Sequence, residues 1–148
     1  MSKVRDAAGA NSIGFSVSTR PILADSEDAA WQRAREILEA IRASRGGRKA
    51  GNPQNVASQR LLQAAADAEV HDSCLYTALA EASGAPGNST ALVGTPETVA
   101  KAMLEYYRLG ATRLLIRGYD PLNDAVDYGK ELIPRLRELI AEEDQRSS

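Results

Sequence analysis

The stretch TPETVAKAMLEYYRLGATRLLIRGYDP, residues 95–121, predicts three consecutive elements and with them the fold class. Thr95 is followed by a proline and an acidic residue, an order typical of the first turn of a helix. Apolar residues then recur at helical spacing as far as Gly110, which suits the left-handed turn that ends many helices. Residues 111–118 predict a short strand, and the Asp-Pro pair after it begins another helix. This succession is typical of an α/β protein with parallel strands.

A second unit of the same kind is predicted near the start of the chain. Residues 13–23, IGFSVSTRPIL, alternate between apolar and polar side chains and therefore predict a strand. Pro21 has no amide hydrogen, so we expect sheet pairing to weaken there and Arg20 to lie near the carboxyl end of the strand. Asp25 or Ser26 then begins a helix with one apolar stripe, which ends near residue 44.

The intervening residues 45–90 predict an insertion of helices and mobile, glycine-rich loops. One helix begins at Val56, and a second begins near Asp72 or Ser73 and carries Leu75 and Tyr76. Because only two strands are predicted in the whole chain, the sheet has too few strands to cover two layers of helices. We therefore expect an unfinished sheet that a second copy or a partner chain completes.

Composition excludes several classes of function. The chain has 148 residues, a size that suits one domain over residues 1–148, and its formal net charge of -2 provides no field for nucleic acid or an anionic membrane. One cysteine and one histidine exclude a disulfide framework and a multi-histidine metal centre. No apolar run approaches the roughly 20 residues of a membrane span, so we expect a cytoplasmic protein. Residues 91–141 are predicted to form a helix, a strand and a second helix. The charged segment 142–148 that follows predicts a frayed tail.

Four segments resemble the bacterial luciferase-like, flavin-dependent monooxygenases, and most closely the alkanesulfonate monooxygenase branch. They are TALVGTPETVA (90–100), IRGYDPLNDAVDYGKELIP (116–134), FSVSTRPILADSEDAAW (15–31) and the insertion at 54–90. The resemblance implies a (β/α)8 barrel that binds reduced FMN from a separate flavin reductase and uses O2 to oxygenate a small organic substrate. Such a barrel takes about 250 residues, so the resemblance implies the last two βα units with a helical insertion, an incomplete barrel. The alternative is a truncated, non-catalytic relative that self-associates or binds a partner.

The resemblance places Arg20 and Ser18 at the mouth of the barrel. An arginine there can bind a phosphate or sulfonate through paired, charge-assisted hydrogen bonds. The alternative is an arginine at a strand end that pairs with Asp25 or extends to solvent. Ser18 stands where sulfonate-cleaving members carry arginine, and Pro121 stands where they carry histidine, so the sulfonate specificity is in question.

The resemblance also places Tyr119, after Gly118, in the substrate or flavin pocket. Its phenol can donate a hydrogen bond, or its ring can simply exclude water. The neighbouring Asp120 is better explained as a helix cap than as an acid–base group. The resemblance further implies a mobile lid loop over the site, formed by Gly87, Asn88, Ser89 and Thr90.

The remaining candidates have simpler structural explanations. Arg117 is interpreted as a salt-bridged structural residue. His71-Asp72 is too close in sequence for a base and its orienting acid, and Cys74 is interpreted as a small buried side chain on a helix. A basic run predicts a solvated loop rather than a nucleic-acid site; it comprises Arg42, Arg45, Arg48 and Lys49.

Overall fold

A computed structural model of the chain describes residues 14–46, 56–67, 70–71, 74–83 and 90–146. The described residues form a mixed α/β fold with one five-stranded sheet. Its strands are β1 (Phe15–Leu23), β2 (Val70–His71), β3 (Leu75–Tyr76), β4 (Ala91–Gly94) and β5 (Ala111–Ile116). The order across the sheet is β2-β3-β4-β1-β5. The central strand β1 is parallel to both β4 and β5, whereas β2 and β3 form an antiparallel extension beside β4.

The described residues form six α-helices, three of which begin where the sequence predicts caps. They are α1 (Glu27–Ser44), α2 (Val56–Asp67), α3 (Ala78–Ser83), α4 (Pro96–Arg108), α5 (Pro121–Asp127) and α6 (Ile133–Arg146). The side chains of Ser26, Thr95 and Asp120 accept hydrogen bonds from the first turns of α1, α4 and α5. A single π-helical turn joins α5 to α6. The last helix, α6, extends to Arg146, whereas the sequence predicts that the ordered segment ends at residue 141.

The prediction of two strands is wrong, because the described residues contain five. The prediction missed β4, since four residues immediately before a helix cap are too few for a clear alternating pattern. The helix expected to carry Leu75 and Tyr76 is also wrong: these residues form β3, which pairs with both β2 and β4. Their apolar side chains suit either element, and the neighbouring strand decides between them. The predicted helix at Val56 is confirmed.

Pro21 weakens the sheet on one side only. The amide of Arg20 donates to the carbonyl oxygen of Thr90 at 2.8 Å, toward β4. Successive backbone nitrogens of a strand point toward opposite neighbouring strands, so the nitrogen of Pro21, which carries no hydrogen, faces β5. The register between β1 and β5 ends at Thr19 and Ile116, whereas pairing with β4 continues to Leu23. Arg20 therefore lies three residues before the end of β1, and the prediction that pairing weakens at Pro21 is confirmed on the side of β5 and wrong on the side of β4.

Helices cover both faces of the sheet. Buried residues of α1, including Ala30 and Ala34, pack with Ile22 and Val93 on one face. On the other face Leu23 belongs to a cluster that is formed mainly by α4, α6 and the π-helical turn. Along the sheet, the connection from β1 to β4 runs toward β2. The connection from β4 to β5 runs in the opposite direction and passes β1. Two crossovers of the same hand in opposite directions place their helices on opposite faces, as observed here.

Candidate functional site

The reversal of strand order leaves a crevice at the carboxyl ends of β1 and β5. After β1 the chain enters α1 on one face, and after β5 it passes through α5 into the π-helical turn and α6, which pack on the opposite face. Open α/β sheets bind ligands at this position because the diverging helices leave space between adjacent strand ends. The crevice has a volume of about 390 Å³ and is lined by Arg20, Ile116, Arg117, Gly118, Pro121, Ala125 and Tyr128.

Arg20 bridges the two strand ends. Its guanidinium Nη1 donates to the carbonyl oxygen of Gly118 at 3.1 Å. Its Cζ also lies 5.1 Å from the centre of the Tyr119 ring, which is within the range of a cation–π contact. The structure thus brings Arg20 together with Gly118 and Tyr119, which lie 98 or more residues further along the chain. Their role in a substrate or flavin pocket stays a prediction.

Tyr119 lies beneath Arg20 and keeps its proton near neutral pH. Its ring packs against the apolar cluster under α1, and its hydroxyl is buried with no hydrogen-bond partner among the described residues. Burial raises the pKa of this phenol to about 12, although the charge of Arg20 acts in the opposite direction. The phenol is therefore a neutral donor that has an unused hydrogen bond.

An ion pair with a buried carboxylate, absent from the sequence predictions, fixes the turn that carries Tyr119. Asp124 is only 2% exposed, and its Oδ1 accepts a hydrogen bond from the Arg33 guanidinium of α1. Its Oδ2 accepts from the backbone amides of Tyr119 at 2.7 Å and Asp120 at 2.9 Å. A signal was present in the sequence, namely an acidic residue in the first turn of a helix. Its partner Arg33 lies 91 residues away, so no local pattern could reveal the pair.

The start of α5 has no amide left for an anion among the groups described. The amide of Asn123 donates to the Asp120 side chain, which confirms the prediction that Asp120 is a helix cap. Hydrogen bonds from the side chain and amide of Asn123 lower the pKa of Asp120, so this carboxylate is charged at neutral pH. Asp120 and Asp124 therefore satisfy this helix start, and the positive charge of the crevice comes from its arginines.

The other crevice candidates lie at different depths. Ser18 precedes Arg20 by two residues, so the two side chains lie on the same side of β1. Ser18 is half-buried and is paired with Leu115 of β5. Arg117 is exposed, and its amide donates to the carbonyl oxygen of Thr19 at 3.1 Å. No ion pair involves Arg117 in the described part of the chain, so the structure does not support its interpretation as a salt-bridged residue.

Most of the predicted lid loop is not described. Gly87, Asn88 and Ser89 lie outside the described residues, and the lid therefore stays a prediction. Thr90 immediately precedes β4 and is half-buried. Its carbonyl oxygen accepts the amide hydrogen of Arg20, which ties the end of this loop to β1.

The simpler interpretations have mixed outcomes. Cys74 is 1% exposed and packs in the cluster with Leu92, which confirms a buried side chain, although it lies in the turn before β3 and not on a helix. His71 lies in β2, while Asp72 lies outside the described residues. Arg42 forms an exposed ion pair with Glu39. Arg48 and Lys49 of the basic run lie outside the described part of the chain.

Two features are absent from the described residues. No group of three or more His, Cys, Asp or Glu side chains in these segments has the arrangement needed to hold a metal ion. None of the described helices combines the length and apolar character required to cross a bilayer.

One comparison with known proteins identifies a family. The family model described as luciferase-like monooxygenase matches residues 1–113. The matched region includes β1 with Ser18 and Arg20, α1 with Arg33, and β4. It ends within β5, so Gly118, Tyr119 and Asp124 lie beyond it.

Proposed function

Because the chain belongs to the luciferase-like monooxygenase family, we propose that it forms part of a flavin-dependent monooxygenase and supplies one wall of the active site. In this proposal the parallel strands are the carboxyl-terminal βα units of a (β/α)8 barrel, and the remaining strands come from another segment or chain. A barrel carries helices on its outer face only, whereas this sheet carries them on both faces, so the proposal requires the helices of one face to move aside when the barrel closes. Such barrels place their active sites at the carboxyl ends of the strands, where Arg20 and Tyr119 lie. The contact between these two residues is the observation that carries the proposal.

The crevice suits the anionic end of a flavin and not its ring. Two arginines, Arg20 and Arg117, are among the residues that line the crevice, and arginine can bind phosphate through two parallel hydrogen bonds. An isoalloxazine ring requires apolar surfaces on more than one side, because small-molecule sites bury most of the ligand. The described residues provide only a single wall of such a site. We therefore assign no chemical step to this chain alone.

The proposed cofactor is FMN, which a separate flavin reductase reduces; when bound, reduced flavin supplies the electrons that activate O2. The residues of this chain have narrower tasks. Arg20 holds and orients an anion at the strand ends, while the ring of Tyr119 supports the Arg20 guanidinium and keeps water from the region beneath it. The proposed substrate is a small organic molecule such as an alkanesulfonate, which Arg20 could bind in the same way as a phosphate. We propose a cytoplasmic location, where a reductase would be available.

Flavin titration tests the proposed anion site. Oxidised FMN and riboflavin are titrated into the purified chain, and binding is followed by the change in flavin fluorescence. Riboflavin lacks the phosphate, so we expect FMN to bind at least about tenfold more tightly, a difference of about 1.4 kcal/mol. Arg20→Gln should remove this preference, whereas Arg42→Gln on the exposed face of α1 should retain it. Equal affinities of the wild-type chain for FMN and riboflavin would contradict the proposal.

A second candidate function, self-association as an interaction module, is favoured by the surface of β5. This strand is the last one at its side of the described sheet, and its Leu115 side chain is 53% exposed. Terminal strands with exposed apolar side chains readily pair with other chains. Light scattering after gel filtration should show a homodimer or larger species that Leu115→Lys dissociates. A monomer at micromolar concentrations would exclude this candidate.

A further inference from the structure

The ion pair of Arg33 and Asp124 connects the two strand ends that border the crevice. Besides Asp124, the guanidinium of Arg33 binds the carbonyl oxygen of Leu23, the last residue of β1, at 3.0 Å. The Asp124 carboxylate holds the amides of Tyr119 and Asp120, which follow β5. A single pair of side chains thus joins β1, α1 and the turn between β5 and α5.

Close packing around Asp124 makes this arrangement specific. A Cβ atom added to Gly118 would lie 2.8 Å from Cγ of Asp124, which is closer than real Cβ contacts allow. Only glycine therefore allows the turn to approach the carboxylate without a shift. The carbonyl oxygen of that same Gly118 accepts the hydrogen bond from Arg20. A displacement of Asp124 would consequently move the acceptor that orients Arg20.

We propose that Arg33 and Asp124 are positioning residues for the candidate site: together they hold the end of β1 and the β5–α5 turn at the separation that places Arg20 over Tyr119. Neither residue lines the crevice, so neither contacts the ligand directly. Their proposed effect on flavin binding depends on the function proposed above. Their effect on the Arg20–Tyr119 geometry does not.

The ionisation of Tyr119 shows, without any ligand, whether the turn still keeps this phenol buried, because burial raises its pKa whereas Arg20 lowers it. At pH 11 a phenol with a pKa of about 12 is roughly one-tenth ionised, whereas an ordinary tyrosine with a pKa of 10.0 is roughly nine-tenths ionised. Phenolate absorbance is measured for each variant and for the same variant carrying Tyr119→Phe, and the difference isolates this residue. Circular dichroism confirms that each protein is folded at pH 11.

Two variants disrupt the pair from opposite sides. Asp124→Asn retains the shape and one acceptor oxygen but removes the charge that holds Arg33, and Arg33→Met retains much of the side-chain length but removes the guanidinium. We expect both to raise the ionised fraction of Tyr119 at pH 11 severalfold and to reduce the preference for FMN over riboflavin at least about tenfold. Arg33→Lys keeps a positive charge with fewer donors and should give intermediate values.

The matched control is Glu143→Gln, which changes a partly exposed pair with Arg108 near the amino end of β5. It should leave both readouts at their wild-type values. Folded Asp124→Asn and Arg33→Met variants with wild-type ionisation of Tyr119 would overturn the inference, and Arg33→Lys decides it if those variants do not fold. If the wild-type chain does not prefer FMN, the proposed function fails, but the ionisation measurement still tests the positioning role.

Discussion

Ion pairs fasten the helices of this protein at two places that differ greatly in exposure. At the crevice, Arg33 pairs with Asp124, whose side chain is 2% exposed. Across the outer surface, the helix α4 is tied to α6 by Arg108–Glu143 and Arg135–Glu97, whose carboxylates are 23% and 42% exposed. The first carboxylate also binds two backbone amides, whereas the surface pairs link side chains that water can solvate.

This difference predicts unequal consequences for similar chemical changes. Removing one partner of a buried pair leaves a charge and several hydrogen-bonding groups without compensation, while water replaces the lost partner at the surface. The crevice pair should therefore fix a geometry, and the surface pairs should only adjust the attachment of α6. Four experiments test this contrast.

The largest effect is expected for Asp124→Ala. Arg33 and the amides of Tyr119 and Asp120 would lose a common partner, so the free energy of unfolding should fall by about 3–5 kcal/mol. Urea denaturation followed by circular dichroism measures this change. Glu143→Gln is the surface counterpart and should have a much smaller effect. A similar loss in both variants would show that burial does not distinguish the two regions.

Gly118→Ala should have the next largest effect. The added methyl group would overlap the Asp124 side chain, and overpacking of this kind costs about 1–3 kcal/mol. A suitable control is Gly129→Ala, because a Cβ there meets no atom within 4 Å and alanine favours a helix. Thermal unfolding should place the melting temperature of Gly118→Ala below the wild type and that of Gly129→Ala at or above it. The opposite order would refute the close approach at Asp124.

Two tyrosines near the crevice allow a smaller and more local comparison. The hydroxyl of Tyr128 donates to the carbonyl oxygen of Pro21 at 2.5 Å in a buried position, whereas the Tyr119 hydroxyl has no partner among the described residues. Tyr128→Phe should therefore cost about 1–2 kcal/mol, and Tyr119→Phe should leave the stability unchanged. Urea midpoints measured side by side would test this, and equal losses would contradict the assignment of Tyr119 as an unused donor.

The smallest effect concerns the pH dependence of the surface pair. Hydrogen bonds from Arg135 and then Lys101 lower the pKa of Glu97 from 4.5 to about 2. A lowered pKa stabilises the fold above the unfolded-state value, and this contribution disappears as the pH falls from 4.5 to about 2. The stability difference between wild type and Glu97→Gln should therefore decrease over that range, and 1 M salt should reduce it at neutral pH. A difference that persists at pH 2 would argue against this ion pair.

The sequence predicts local features of this fold well and strand pairing poorly. Ser26, Thr95 and Asp120 cap the helices as expected, because a cap depends on residues within one turn. The strand β4 and the β2–β3 pair were missed, because such short strands exist only through pairing with neighbours that are distant in sequence. For the candidate site, resemblance indicates Arg20 and Tyr119, while Asp124 is hidden in an ordinary helical first turn.

The amino acids alone determine the α/β class, the helix boundaries set by caps and the chemistry available at the strand ends, because these follow from neighbouring residues. The folded chain decides the order β2-β3-β4-β1-β5, the covering of both sheet faces and the meeting of Arg20 with Tyr119. It also decides that Asp124 is a buried partner of Arg33 and not a solvated acid. The free-energy cost of a charged side chain depends on its burial and on its long-range contacts, and neither can be predicted from the residues adjacent to it in sequence.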